Sequence, residues 1–341
     1  MNNLKEKNVG LSVLRIVLSY SVICIHFWDA KSSNFLADVV IYLKTYAVPT
    51  FMLMSFALCG KMFEENENDR IKKRFVRLII PQVAWTIIYF VLYLLMDVFF
   101  GKNKISGFED FWWQLLTGSR QGINQTMWYQ IALIWMTALF VCIFKMLKEK
   151  SYILLIILSV IVLCLEYSGA LEFIYSWRYE FASLTGRFIE YIPIATIGYC
   201  VTKFGIIDKI KGYPFAWMIF MVLTVGTAKF KIFPTNPNSN YSGIPLIISS
   251  LIIFLLFYSM PVLGLSGGVT KFVNEIGSYS LGVYCMHRLV ETILRGICEV
   301  IRINVTFSSL GGCLFIYLIC ILISACFVKL FKQKYIRMLF I

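Results

Sequence analysis

Apolar residues in this chain of 341 gather into runs of about 18 to 25, separated by short charged segments. At 1.5 Å per residue such a run matches the ~30 Å hydrocarbon layer of a bilayer, so the pattern predicts transmembrane helices and not a barrel. About ten runs are legible, centred near Leu18, Phe51, Ile88, Leu133, Leu158, Ala195, Ile219, Ile253, Val283 and Leu318. The first follows a polar start and has no small-residue cleavage site before Asp29, so it reads as a retained anchor. The longest polar stretches, roughly residues 101–126, 167–186 and 230–243, are short for a soluble domain. Residues 1–341 therefore read as one membrane-embedded domain. The expected fold is all-α, a polytopic bundle of about ten spans with both termini cytoplasmic.

Composition agrees with lipid as the solvent: 59% of residues are hydrophobic and 15% charged, more apolar than one globular core of this length uses. The formal charge of +13 raises nucleic acid as a partner, but its distribution argues against one. Loops on the side of the N-terminus carry about twice as many Lys and Arg as those opposite, the bias that orients membrane proteins. Most of the ten cysteines fall inside apolar runs without metal-ligand spacing, so packed thiols and no metal centre are expected. Trp112 and Trp113 beside acids mark residues 108–116 as a short interfacial helix. The turn-rich segment 234–240 reads as an exposed loop.

Two histidines, His26 and His287, complete the chain's complement, and both lie within expected spans. An ionisable group at membrane depth is costly unless it faces protein, water or a partner. Each is either a neutral imidazole satisfied by a neighbouring carbonyl or part of a functional interior. Arg15 precedes His26 in the same span. Their spacing of about three turns keeps both on one helix face, ~16 Å apart, although Arg15 also lies where it can snorkel to headgroups. Arg74 and Arg77, an i, i+3 pair beside Lys73, form either two guanidinium forks for a phosphorylated group or the basic loop that topology requires. Arg187 with Glu190 is a second i, i+3 pair, of structural kind.

With these residues in view, the chain resembles the acyltransferase 3 family of integral membrane acyltransferases over most of its length. Arg15 through His26 resembles the family's arginine, ten residues, histidine signature. Val48-Pro49-Thr50-Phe51 with Ser55 is similar to its proline-phenylalanine-serine helix, with Phe56 where glycine is usual. Lys73-Arg74-Phe75-Val76-Arg77, followed by Pro81 and Trp85, resembles its arginine-x-x-arginine loop. Met127-Trp128-Tyr129 and Leu281-Gly282-Val283-Tyr284-Cys285-Met286-His287 resemble its tryptophan-aromatic and glycine-tyrosine-histidine elements, with Arg288 where proline often stands. Five matches in order on about ten spans are hard to reach by coincidence.

The resemblance implies transfer of an acyl group, most often acetyl, from acyl-CoA to a hydroxyl of a surface polysaccharide or other envelope glycan or glycolipid. It implies a multi-pass protein of the bacterial cytoplasmic (inner) membrane, with membrane lipid around it and acetyl-CoA as donor. A thioester is already activated, so the missing component is a base at the acceptor oxygen, worth ~10²–10⁴-fold. His26 is expected to be that base, directly or through an acyl-histidine. Arg15 is expected to hold the donor or stabilise charge, and Lys73, Arg74 and Arg77 to bind the CoA phosphates. Trp128, Tyr129, Tyr284 and His287 are candidates for acceptor binding, with interfacial anchoring or packing as their alternatives. The rival from another class is a transporter or flippase of an envelope precursor, with the same buried charges along a translocation path.

Overall fold

The computed structural model describes residues 8–29, 35–101, 105, 107–118, 126–170, 188–210, 212–230, 232, 243–261, 266–303 and 305–341. Arg187 and the turn-rich segment 234–240 lie outside them. Among the described residues the regular structure is helical throughout.

Helix α1 (Val9–Phe27) starts where the Asn8 side chain accepts from the Leu11 amide at 3.3 Å, pairing one of the donors a helix start leaves open. Helices α2 (Phe35–Glu64) and α3 (Asn68–Phe100) run through Pro49 and Pro81, as helices supported by neighbours can. Gly101 ends α3 at φ 61°, a left-handed cap that favours glycine. Short α4 (Phe108–Thr117) exposes Trp112 and Trp113, where an interfacial helix was expected. One 3-10 turn (Lys148–Lys150) joins α5 (Trp128–Leu147) to α6 (Ser151–Tyr167). The remainder is α7 (Ile192–Lys203), α8 (Ile206–Ile210), α9 (Pro214–Phe230), α10 (Ile244–Tyr258), α11 (Gly267–Ser278), α12 (Ser280–Val300), α13 (Leu310–Leu330) and α14 (Lys334–Arg337).

Each run centre read from the sequence falls inside a helix. Among the described residues five helical stretches are long and apolar enough to cross a membrane: Val9–Phe27, Leu36–Glu64, Asn68–Phe99, Trp128–Tyr167 and Leu310–Leu330. Of these, Trp128–Tyr167 comprises α5, the turn and α6. The apolar helices α9 and α10 are shorter, and α12 is long enough but carries Arg288, Glu291, Arg295 and Glu299. Along α3 the residues Ile87, Val91, Leu94, Leu95 and Val98 are exposed, an apolar stripe at helical spacing that lipid, not water, would cover. The protein is thus a multi-pass membrane protein.

Helices pack by close approach. Gly198 of α7 lies against α2 so tightly that a Cβ there would stand 2.4 Å from the Leu53 carbonyl oxygen. Gly277 of α11 meets α1 in the same way, with the Ser12 oxygen 2.7 Å from its missing Cβ. Small residues at such seams are how lipid-embedded helices gain van der Waals contact. Several hydroxyls inside the spans are satisfied locally: Thr50, Thr137, Ser159 and Ser324 each donate to the carbonyl four residues back, at 2.7–2.8 Å. Buried side chains form two cores, one around α2, α5, α7 and α10, the other around α1, α3, α12 and α13.

Candidate active site

The second core brings the two histidines together. The His26 and His287 rings stack with centroids 5.2 Å apart and planes at 25°, one from the last turn of α1 and the other from the middle of α12. His287 is fully buried. Its Nδ1 lies 3.1 Å from the Val283 carbonyl oxygen and 2.8 Å from that of Tyr284. The Nε2 atom is buried and has no hydrogen-bond partner. Half-buried His26 receives a hydrogen bond at Nδ1 from Arg288 Nη2 at 3.1 Å. The Arg288 guanidinium stands 5.4 Å from the centre of the Phe27 ring, and its buried Nε has no partner. Two imidazoles, a guanidinium and aromatic walls therefore share one seam between α1 and α12.

A second site lies where α2 and α3 meet. A cavity of about 790 Å³ is bordered by Lys61, Arg70, Lys73, Arg74 and Arg77, and Asp208 is the one acidic residue among the described residues lining it. Arg74 reaches inward, donating from Nε to Thr137 Oγ1 at 3.0 Å, from Nη1 to Cys59 Sγ at 2.8 Å and from Nη2 to Ser55 Oγ at 2.8 Å. Phe56 lies beneath the guanidinium, ring centre to carbon 5.3 Å, so the residue that departs from the family's glycine holds the arginine by a cation–π contact. Arg77 and Lys73 are exposed. The inner arginine is ordered by its partners while the outer cations remain available to an anion.

Leu281 lines this cavity, and His287 stands six residues further along the same unbroken helix, a rise of ~9 Å. Tyr284 lies between them, its ring 6.4 Å from His287 and 5.7 Å from Tyr129; its hydroxyl donates to the Thr126 carbonyl. Tyr129 is buried and packs on Phe51 as well. Trp128 stacks on Tyr191 at 6.0 Å. Arg15 shares the unbroken helix α1 with His26 and is half-buried; it is not among the residues that line the basic cavity. The structure thus gathers His26 with His287, and Lys73 with Arg74 and Arg77, while Trp128 and Tyr129 sit in aromatic packing.

Sequence reasoning passed over Arg288, treating it as a departure from the family's proline. A charge beside a histidine in mid-span was itself the available signal, because such groups are rare without a partner. The acceptors of Arg74 come from two other helices; Ser55 belongs to the proline-phenylalanine-serine motif, while Cys59 and Thr137 carry no spacing signature. Among the described residues no three histidine, cysteine or carboxylate groups converge to hold a metal ion.

A family model described as an acyltransferase domain matches residues 8–328, a span that includes both histidines and the basic cavity's five cations. No curated protein and no solved structure matches the chain. With nearly the whole chain under one family model, this helical membrane protein is a member of the acyltransferase 3 family.

Proposed function

We propose that this protein moves an acyl group, in the first instance acetyl, from acyl-CoA to a hydroxyl of a cell-surface polysaccharide or other envelope glycan. The carrying observation is the basic cavity, lined by five cations and one carboxylate, with Arg70 also paired to Glu67 at 2.6 Å. A nucleotide with several phosphates is the acyl donor that such a lining fits, because guanidinium forks bind phosphate oxygens in pairs. Arg77, Lys73 and Arg70 bind those phosphates; Arg74, already tied to α2 and α5, shapes the wall and adds charge.

From the cavity the donor's flexible arm follows α12 past Leu281 and Tyr284 toward the histidine pair. Arg15, on the His26 face of α1, supplies positive charge along that approach. In this reading the chain is a single domain of ten spans in the bacterial cytoplasmic membrane. Both termini and the α2–α3 loop face the cytoplasm, where acyl-CoA is present, and the acceptor enters from the opposite side.

Purified protein in lipid nanodiscs, given labelled acetyl-CoA and envelope glycan, should release CoA and pass label to the glycan. The flippase reading takes over if glycan crosses a vesicle membrane while no acyl-CoA is consumed.

A further inference from the structure

We infer that His287 Nε2, not His26, accepts the acceptor's proton, and that His26 presents Nε2–H to the oxygen of the thioester carbonyl. The inference rests on the acyl-transfer reading above and deepens it. It follows from which partner each ring nitrogen has. Val283 and Tyr284 contact His287 Nδ1 through carbonyl oxygens, which only accept, so Nδ1 carries the hydrogen. The neutral ring then has its lone pair on Nε2, and that atom is buried with no partner. Buried polar atoms are usually paired; among the several unpartnered ones in the described residues, this is the one on an imidazole stacked against a second imidazole, and we take it as the site of a ligand's hydrogen.

His26 is fixed in the opposite sense. Arg288 Nη2 lies 3.1 Å from its Nδ1, and a guanidinium only donates. The lone pair of His26 is therefore used at Nδ1, and its hydrogen is on Nε2. While Arg288 holds it, neither nitrogen can take a proton from a hydroxyl, whereas Nε2–H can donate to an oxyanion, as neutral imidazoles do elsewhere. Because the rings stack at 5.2 Å, the pair offers an acceptor nitrogen on one ring and a donor nitrogen on its neighbour.

The step balances without a further reactant. As the acceptor oxygen bonds to the thioester carbon, its proton passes to His287 Nε2, and the carbonyl π pair moves to the oxygen that His26 Nε2–H binds. Collapse restores the carbonyl and breaks the carbon–sulfur bond. Sulfur departs with that pair and takes the proton from His287, which returns to its neutral form.

Glutamine and asparagine distinguish the two nitrogens, because the glutamine amide reaches the Nε2 position and the asparagine amide the Nδ1 position. Four variants are compared in nanodiscs with acetyl-CoA and glycan: His26→Gln, His26→Ala, His287→Asn and His287→Ala. His26→Gln, which keeps a donor at the Nε2 position, should lose about tenfold or less in kcat, and His26→Ala ~10²–10³-fold. His287→Asn keeps the Nδ1-side hydrogen bond but has no base, and should lose ~10²–10⁴-fold. Added imidazole should restore part of the activity of His287→Ala and none of that of His26→Ala. The assignment is overturned if His26→Gln is as inactive as His287→Asn, or if imidazole rescues His26→Ala instead. CoA affinity, read at the separate basic cavity, reports folding; a His287 variant that loses it is set aside, and the two His26 variants then decide. A wild-type protein that consumes no acyl-CoA would remove the acyl-transfer reading itself, which is a different outcome from a wrong base.

Discussion

Tyr89 and Leu289 meet across the seam between α3 and α12: the Tyr89 hydroxyl accepts from the Leu289 amide at 3.2 Å and donates to the Cys285 carbonyl at 2.8 Å. In a regular helix that amide and carbonyl belong to one another. The Tyr89 hydroxyl thus ties α3 to the amide and the carbonyl that flank His287 and Arg288 on the continuous helix α12. Tyr89→Phe removes both bonds at a fully buried position. It should lower stability by about 1–3 kcal/mol, read by thermal unfolding in detergent, and reduce kcat more than it raises KM for acyl-CoA. Equal unfolding temperatures would show that the two bonds add nothing to stability.

Arg288 positions His26 in this arrangement. Hydrogen bonds from charged donors contribute about 1.5–3 kcal/mol, so Arg288→Met should lower kcat by roughly ten- to a hundredfold. Arg288→Lys should recover part of that loss, while CoA affinity stays as in the wild type. A methionine variant with wild-type kcat would remove the guanidinium from the mechanism.

The cavity's cations divide by exposure. Arg77→Gln should raise KM for acyl-CoA several-fold with unfolding temperature unchanged, since the side chain is exposed and surface charges add little to stability. Arg74→Gln should raise KM and also destabilise, because Ser55, Cys59 and Thr137 lose their donor. Raising ionic strength should mimic Arg77→Gln by screening. A KM indifferent to both salt and Arg77 would return this loop to a purely topological role.

Helix packing offers a test independent of chemistry. Gly198→Ala forces a methyl against the Leu53 backbone and should cost about 1–3 kcal/mol, visible as a lower yield of monodisperse protein and a lower unfolding temperature. Gly226→Ala, where nothing lies within 4 Å, should be neutral or slightly stabilising. Similar behaviour of the two variants would contradict the α2–α7 contact.

What the chain's pattern settled locally is the set of helices. In lipid every backbone group must find its partner within the span, so a long apolar run can only be helical. The ten run centres accordingly lie in helices. Shared placement of Arg15 and His26 on one face of α1 followed from helix geometry alone, and the acyltransferase 3 membership was legible in five short motifs. Which face of each helix turns inward was not legible. The polar residues of helix α2 are spread around it and form no stripe to orient it, yet its Ser55 and Cys59 receive Arg74.

For His287 the carbonyls at Nδ1 lie within its own helix, whereas for His26 the tertiary structure alone decided which ring nitrogen is engaged. A histidine's tautomer depends on the groups opposite each nitrogen, and for His26 that group is Arg288, a residue 262 positions away. The same holds for the cavity, where Asp208 and Ile341 come to face the α3 arginines. Chain order specifies backbone hydrogen bonding because that is satisfied within a few residues. It leaves side-chain pairing open because close packing between helices, not periodicity, selects those partners.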